Sequence, residues 1–258
     1  MKIATWNVNS LNVRLPHVLD WLATEQPDAL CLQETKQEDS KFPYQALKEL
    51  GYHAVHAGQK TYNGVAIISP HEIQSVSTDI AGFPDPQKRV ISATVKGVRI
   101  ISAYVPNGQA LDSEKYQYKL QWLEAFYHWL AEQLQQFPKL AVLGDYNIAP
   151  ADIDCHDPQA WQGQVLVSQP ERAAFEKLLS LGLSDGFRLF NQEAGQYSWW
   201  DYRMAAFRRN LGMRIDHILV SQAIKPFCQQ SYIDKSPRKL ERPSDHTPVL
   251  LTLDDAGL

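Results

Sequence analysis

The sequence contains little cysteine and no long apolar run. Its three cysteines, Cys31, Cys155 and Cys228, are odd in number and widely spaced, which argues against a disulfide framework and favours a reducing compartment. The sequence has no CxxC pair, so it gives no indication of a zinc site. No stretch approaches the roughly 18 apolar residues of a membrane span, and no basic segment followed by an apolar one marks a secretory signal. We therefore expect an intracellular, cytoplasmic protein that does not enter a membrane.

The sequence also lacks an excess of positive charge. Its 258 residues include 25 Lys and Arg against 29 Asp and Glu, a net charge of −4, so total charge alone does not suggest a nucleic-acid ligand. Residues 201–242, however, hold nine basic and four acidic side chains, and the remainder is acidic. A basic region beside an acidic one suits a polyanion held near metal-binding carboxylates, although a solvated charged surface explains the charge pattern equally well.

Short apolar segments alternate with helical patterns along the chain, without an evident linker. Strands are predicted at 2–6, 29–32, 64–68, 90–95, 99–104, 140–143, 215–220 and 248–253. Helices are predicted at 15–24, with Pro16 in its first turn, at 112–136, and at 171–181, with Gly182 as its C-cap. This mixture predicts layered α/β or α+β architecture in a single domain over 1–253, followed by a frayed tail at 254–258.

Polar side chains recur where these predicted strands end or begin. Asp145 and Asn147 share one face, with Tyr146 opposite, because side chains alternate along a strand. If the late strands run antiparallel to the early ones, all such groups meet at one sheet edge. They are Asn7, Asn9, Glu34, Tyr104, Asn107, Asp145, Asn147, Asp216, Asp245 and His246. Oxygen donors without thiolates favour a hard cation, Mg²⁺ or Mn²⁺.

Eight motifs occur in an order that resembles one known family. They are TWNVNSL (5–11), CLQETK (31–36), GQKTYNGVAI (58–67), AYVPNG (103–108), LGDYNIAP (143–150), SWWDYR (198–203), GMRIDHIL (212–219) and ERPSDHTPV (241–249). Over nearly its whole length the chain resembles the exonuclease III/AP endonuclease family, in the endonuclease–exonuclease–phosphatase superfamily. The resemblance implies a DNase I-like, four-layer α/β sandwich of two packed mixed sheets.

The resemblance also implies a reaction and roles for matched residues. The reaction is divalent-metal-dependent DNA hydrolysis in base excision repair: 3′→5′ exonuclease activity, incision 5′ to abasic sites, and 3′-phosphatase activity. The implied partner is double-stranded DNA with abasic sites or blocked 3′ ends. We expect a monomer, because no oligomerisation motif is apparent. The implied metal ligands are Asn7, Glu34, Asp145, Asn147 and Asp245. Asn9 is expected to contact these ligands and not the metal itself. The implied catalytic residues are Tyr104, Asp145, Asn147, Asp216 and His246, and Asp145 is either the base or the acid.

The implied DNA contacts come from separate loops. They are Lys36, Asn107, Trp199, Trp200, Arg203, Met213 and Arg214. Two departures from the family pattern are Tyr146, where Phe or Met is common, and His217, which follows Asp216 and is expected to point away from the site. Residues 152–170 match the family poorly and are expected to border the site, where they could set substrate preference.

Two other functions compete with DNA repair. A related phosphohydrolase could act on RNA, phospholipid or inositol phosphate, because the superfamily shares the Glu, GDxN and SDH motifs. SWWDYR and GMRIDHIL favour DNA. A non-catalytic DNA-binding or scaffold protein could also use this fold, but the complete set of polar residues argues against it.

Overall fold

Two six-stranded β-sheets form the centre of this computed structural model, which describes residues 1–257. The strands are β1 (Lys2–Asn7), β2 (Ala29–Gln33), β3 (His53–Ala57), β4 (Val65–Ser69), β5 (Gln74–Thr78), β6 (Val90–Val95), β7 (Val98–Tyr104), β8 (Leu140–Asp145), β9 (Leu183–Asp185), β10 (Trp199–Trp200), β11 (Gly212–Met213), β12 (Asp216–Ser221), β13 (Cys228–Ile233) and β14 (Val249–Leu253). The helices are α1 (Leu11–Glu25), α2 (Tyr44–Glu49), α3 (Glu114–Gln136), α4 (Pro158–Trp161), α5 (Gln169–Leu179) and α6 (Ala206–Arg209).

Both sheets are mixed. The first has the order β13-β14-β1-β2-β4-β3, and the second has the order β5-β6-β7-β8-β12-β9. The pairs β1–β2 and β7–β8 are parallel, whereas the other pairs in the two sheets are antiparallel. Strands β10 and β11 form a separate two-stranded ribbon. Parallel strands buried on both faces explain the nearly continuous apolar runs of β2 and β8.

Four layers result from burial on both sides of each sheet. Ile3, Ile67, Ile100, Leu143 and Leu251 belong to one apolar cluster between the two sheets. Helices α3 and α5 cover the outer face of the second sheet, and α1 and α2 cover the first. The predicted sandwich of two packed mixed sheets with helices outside is therefore confirmed. Among residues 1–257, no helix combines the length and the apolar character needed to cross a bilayer.

All eight predicted strands are present with their ends within two residues of the prediction, but the start of the first helix differs more. Helix α1 begins at Leu11, because the backbone N–H groups of Ser10 and Leu11 bond to Glu34 and Thr35 carbonyls. Pro16 therefore lies inside the helix, and the prediction that it occupies the first turn is wrong. Helix α5 begins behind a capping box formed by Ser168 and Glu171.

Two predictions at chain and helix ends are also wrong. Helix α5 ends at Leu179 with Ser180 as its C-cap, and Gly182 follows at φ +89° with its N–H bonded to the Leu179 carbonyl. The expected frayed tail is anchored at its start, because Asp254 N–H donates to the Phe227 carbonyl and Asp255 pairs with the Met1 amine at 2.7 Å. Residue 258 of that tail lies outside the described residues.

The three cysteines are separated, as the sequence indicates. Cys31 lies in the cluster between the sheets, Cys155 is buried near the ribbon, and Cys228 is half-buried at the start of β13. All three are free thiols, so the fold has no disulfide.

A buried charge network lies beside β12, where Arg214 pairs with two carboxylates. Its guanidinium is 2.7 Å from an oxygen of Asp154 and 2.7 Å from an oxygen of Asp185. The His217 imidazole belongs to the same network. Its Nδ1 accepts a hydrogen bond from Arg214, and its Nε2 donates to the Ile148 carbonyl at 2.8 Å. His217 therefore points away from the strand-end cluster. Its burial, reinforced by the Arg214 charge, lowers its pKa from 6.5 to about 4.

This lowered pKa predicts a pH dependence of stability. Between pH 6.5 and about 4 the unfolded chain takes up a proton at His217 that the folded chain excludes. The neutral His217 ring therefore contributes its full share to the free energy of unfolding above pH 6.5, and this share is lost as the pH falls from 6.5 to about 4. We expect His217→Gln, which can keep both hydrogen bonds, to reduce the proton uptake on unfolding near pH 5 by about one. Urea denaturation across the window measures it. The exposed His128→Gln variant is the control, and equal pH slopes in wild type and His217→Gln would contradict the assignment.

Packing of α3 predicts a second stability effect. Phe126 is fully buried between Trp122 and Trp129, with ring centroids 4.9 and 5.7 Å away. We expect Phe126→Ala to lower the free energy of unfolding by about 3–5 kcal/mol through lost burial and a residual cavity. The exposed Gln121→Ala change on the same helix should alter it by less than about 0.5 kcal/mol. Denaturant titration compares the two, and equal losses would show that α3 does not pack as described.

Candidate active site

The predicted sheet edge is formed by strands of both sheets. Strand β12 runs antiparallel to β8, which places Asp216 opposite Asp145, and β14 runs antiparallel to β1. The parallel pair β7–β8 places Tyr104 beside Asp145. These directions confirm the assumption on which the convergence of the strand ends depends.

The Asn7 side chain joins the two sheets at this edge. Its Nδ2 donates to Glu34 Oε1 and to Asp145 Oδ2, both at 2.9 Å. Tyr104 also donates its hydroxyl to Glu34 Oε1 at 2.9 Å, and burial followed by the nearby Glu34 and Asp145 charges raises the Tyr104 pKa well above 10. Tyr104 is therefore a neutral hydrogen-bond donor at this site.

Asp145 is buried and held by neutral donors. Besides Asn7, the Asn147 backbone N–H donates to its Oδ1 at 2.8 Å. Burial raises the pKa of Asp145 to about 7, and His246 and the hydrogen bonds oppose that rise. A carboxyl that titrates near neutrality can either accept or donate a proton at working pH.

His246 is oriented by Asp216. Its Nδ1 lies 2.9 Å from Asp216 Oδ2, and its Nε2 lies 3.7 Å from Asp145 Oδ2. Burial alone would lower the His246 pKa, but the Asp216 and Asp145 carboxylates raise it to about 10. The ring is consequently an imidazolium at neutral pH, with its Nε2–H on the side of Asp145.

Ser198 fixes Asp216 in turn, and sequence reasoning missed its role. Its hydroxyl donates to Asp216 Oδ2 at 2.6 Å and accepts from the backbone N–H groups of Ile215 and Asp216. The only sequence signal was its place at the start of the SWWDYR motif. Strand pairing of Trp199 with His246 attaches the same segment to the histidine loop.

The two asparagines beyond the strand ends bond to each other. Asn107 Nδ2 donates to Asn147 Oδ1 at 3.0 Å, and Asn147 Nδ2 donates to the Val105 carbonyl at 3.0 Å. Asn147 has φ +49°, a left-handed conformation that asparagine tolerates better than most residues. These bonds hold the Asn107 amide against Asn147, whose own amide lies beside Asp145.

The carboxylates fit a hard cation. Glu34, Asp145 and His246 each offer a ligand atom within 4.8 Å of the others, in the part of the chain that the structure describes. Glu34 and Asp145 each accept one N–H of the same Asn7 amide, so the two carboxylates lie close together and their repulsion favours a bound cation. Oxygen donors favour Mg²⁺ or Mn²⁺. His246, as an imidazolium, carries a proton on each ring nitrogen and has no lone pair for a cation, which leaves the oxygens of Glu34 and Asp145 as ligands.

The other predicted metal ligands are placed differently. Asn7 presents its N–H group to the carboxylates, and its Oδ1 accepts from the Asn9 backbone, so its oxygen does not face the pair. Asn147 Oδ1 is bonded to Asn107. Asp245 lies outside the three-residue group, because Asn9 Nδ2 donates to its Oδ1 and Trp199 Nε1 to its Oδ2, each at 3.0 Å.

Lys36 neutralises part of the charge at the edge. Its Nζ lies 2.9 Å from Glu34 Oε2 and donates to Asn9 Oδ1 at 2.7 Å. Burial would raise the Glu34 pKa, but Lys36 and Asn7 together lower it, so Glu34 is ionised. Lys36 was predicted to contact DNA, whereas in this structure its ammonium is committed to the carboxylate and to Asn9.

The predicted DNA-facing residues divide into exposed and buried groups. Arg203 is 85% exposed, and Trp199 is half-buried against Asp245. The prediction is wrong for Trp200, Met213 and Arg214, which have essentially no exposed surface because aromatic packing, the apolar cluster around Leu166 and two carboxylates enclose them. These three side chains lie beneath the surface beside the site and do not face solvent.

Sequence reasoning missed two surface features near this edge. Met204, with φ +56°, is 77% exposed next to Arg203. A cleft of about 550 Å³ opens beside Tyr104 and Asn107, where Arg89 and Lys115 add positive charge. Arg89 lies in none of the quoted motifs, so the sequence patterns gave no signal that it reaches the site.

Residues 152–170 border the site, as expected. Asp154 pairs with Arg214, and Leu166 and Val167 pack in one cluster with Met213 and Ile215, beside Trp199. Leu166 has φ +76°, an uncommon conformation for a residue with a branched side chain.

Known proteins are similar to this chain over nearly its whole length. A family model described as the endonuclease/exonuclease/phosphatase family matches residues 4–246. The chain is 36% identical to an exodeoxyribonuclease III of Haemophilus influenzae, with 96% of this chain and 98% of that protein covered. It is 33% identical to a DNA repair nuclease of Danio rerio, with 98% and 82% covered.

Solved structures agree. A 3′ phosphatase from Neisseria bound to a product DNA hairpin is 51% identical, with a TM-score of 0.97 over 98% of this chain and 99% of that one. An AP endonuclease from Archaeoglobus fulgidus is 42% identical, with a TM-score of 0.95 over 98% and 99%. The chain thus belongs to the endonuclease/exonuclease/phosphatase family, in its group of exonuclease III and AP endonuclease nucleases.

Proposed function

We propose that this protein is a divalent-metal-dependent DNA repair phosphodiesterase. The proposed activities are 3′→5′ exonuclease action on duplex DNA, incision 5′ to abasic sites and removal of 3′-phosphates. The observation that carries the proposal is the buried set of Asp145, Asp216 and His246, in which His246 Nδ1 lies 2.9 Å from Asp216 Oδ2 and its Nε2 lies 3.7 Å from Asp145 Oδ2. The names of the relatives, an exodeoxyribonuclease III, a 3′ phosphatase with product DNA and an AP endonuclease, support the substrate and the reaction.

The side chains can supply each requirement of phosphate ester hydrolysis. Water attacks phosphorus, the bond to the leaving oxygen breaks, and negative charge grows on the non-bridging oxygens. His246 donates its Nε2–H toward that charge. Tyr104 and Asn147 can add donors only by exchanging their present acceptors, Glu34 and the Val105 carbonyl, for phosphate oxygens. Asp145 either removes the proton from water or gives one to the leaving oxygen. A divalent cation held by Glu34 and Asp145 would neutralise charge on the phosphate.

The surroundings of the site suit a DNA strand. The cleft that holds Tyr62, Arg89 and Lys115 continues from Tyr104 and Asn107 and offers cationic and aromatic contacts to a backbone. Arg203 and Met204 project from the opposite loop. Positive charge at these edges supports electrostatic capture of a polyanion by a protein whose net charge is negative.

A panel of labelled DNA duplexes tests the activity. It carries an internal abasic analogue, a 3′-phosphate end or a recessed 3′-hydroxyl end, each with Mg²⁺, with Mn²⁺ and with EDTA. We expect metal-dependent release of phosphate or nucleotides from 3′ ends and incision beside the abasic analogue, all abolished by EDTA. Hydrolysis of RNA or inositol phosphate with no reaction on DNA would favour the related phosphohydrolase. No hydrolysis of any substrate would favour a binding protein.

Two substitutions test the assigned residues. We expect Asp145→Asn and His246→Asn each to lower kcat at least about a hundredfold, because each removes a proton-transferring or charge-stabilising group. His128→Asn changes an exposed histidine on α3 and should leave kcat unchanged. Steady-state kinetics on the best substrate of the panel, with folding checked by circular dichroism, compares the three. Turnover near that of wild type in Asp145→Asn or His246→Asn would overturn the assignment.

A further inference from the structure

We infer that Lys119 is a positioning residue for the asparagines beside Asp145, and that Glu171 holds Lys119 in place. This inference rests on the proposed function. Lys119 lies on α3 and Glu171 lies on α5, and neither side chain has any exposed surface. A buried ion pair is by itself a weak source of stability, because the cost of removing both charges from water offsets their attraction. The remaining contacts of the pair indicate what it does.

The Lys119 ammonium uses its three protons on three acceptors. It donates to the Asn147 carbonyl at 2.7 Å, to the Asn107 carbonyl at 3.2 Å and to Glu171 Oε1. Because an ammonium has three donors, none remains for another partner. Both carbonyls belong to the two asparagines that bond to each other at the site. One buried charge therefore fixes the backbone of both residues.

This contact leads directly to Asp145. The Asn147 residue whose carbonyl is held by Lys119 donates its own N–H to Asp145 Oδ1 at 2.8 Å. Its backbone has φ +49°, a conformation that surrounding contacts must maintain. A shift of the Asn147 backbone would thus have two effects. It would move the Asn147 side-chain amide, and it would weaken the hydrogen bond that holds the Asp145 carboxylate.

Glu171 connects the ammonium to a third loop. Its Oε1 also accepts from the Leu166 N–H at 3.0 Å, and its Oε2 accepts from the Ser168 N–H and hydroxyl. The acid is therefore fixed by four donors and cannot follow a displaced lysine. The loops after β7 and β8 and the loop before α5 all meet at this pair.

Gly108 leaves room for the lysine. It has φ +91°, and a Cβ at this position would lie 3.1 Å from Lys119 Cδ and 3.3 Å from Tyr116. The backbone of the AYVPNG loop thus passes directly over the lysine stem, which explains how the Asn107 carbonyl reaches the buried ammonium.

A double-mutant cycle between Lys119 and Asn147 separates positioning from general support of the fold. We expect Lys119→Met to lower kcat at least about tenfold with KM changed less than about threefold, because displaced groups lose transition-state contacts. In an Asn147→Ala background, Lys119→Met should lower kcat by a clearly smaller factor, because the Asn147 side-chain amide is already absent and only the backbone N–H bond to Asp145 and the Asn107 loop remain to be displaced. The same fold-loss in both backgrounds, or no loss in the wild-type background, would overturn the inference.

Two further variants test whether an unpaired buried charge, or a general loss of stability, explains a lower kcat. Lys119→Met with Glu171→Gln removes the unpaired acid, and we expect it to recover stability but not kcat. Recovery of kcat would show that the orphaned charge, and not lost positioning, was responsible. Arg99→Met removes another buried cation, bonded to Gln133 and Ser92 at the far end of β7, and should lower stability with kcat unchanged.

A measurement without metal or substrate completes the test. In amide nitrogen–proton spectra of the metal-free protein, we expect Lys119→Met to shift the Asn147 backbone and side-chain signals and Arg99→Met to leave them in place. Unshifted Asn147 signals in Lys119→Met would contradict the inference. A wild-type protein inactive on every DNA duplex would contradict the proposed function, whereas an active wild type with an unaffected Lys119→Met would contradict this inference alone.

Discussion

The site depends on one amide group that is bonded to carboxylates of both sheets. Asn7 and Glu34 come from the first sheet and Asp145 from the second, and the Asn7 Nδ2 lies 2.9 Å from each acid. This contact is possible only because the two parallel strand pairs end at the same edge and the layers between them are closely packed. The distance between the acids, and with it the charge around Asp145, is consequently set by the packing of the whole sandwich.

Much of this arrangement could be predicted from local sequence. Residues such as Asn7, Glu34, Asp145 and Asp216 lie where apolar runs stop, and strand direction alone brings such positions together. The motif resemblance then supplied the layers, two packed mixed sheets with helices outside. Strand ends were predicted within two residues because burial on both faces produces uniform apolar runs. Short exposed strands such as β5, whose residues are all exposed, carry no such pattern and were missed.

The errors have a common physical origin. The resemblance implied a DNA contact for Trp200 and Arg214, but a matched motif does not reveal which of its side chains are covered. Asp154 and Asp185, distant in sequence, pair with Arg214, and Arg238 lies 5.9 Å from the Trp200 ring. Lys119 and Glu171 went unnoticed for the same reason, because each looks like an ordinary charged residue on an amphipathic helix. Partners that are far apart in the chain determined burial in every case.

The location of the cysteines has a chemical consequence for a nuclease of damaged DNA. Burial raises the pKa of the Cys31 and Cys155 thiols, and it raises that of Cys228 to about 11. Oxidants attack the thiolate form, which is scarce at neutral pH when the pKa is raised. None of the three sulfurs takes part in the site. Oxidation of these three thiols is therefore slower than that of an exposed thiol with an ordinary pKa, and it would not remove a group that the site uses.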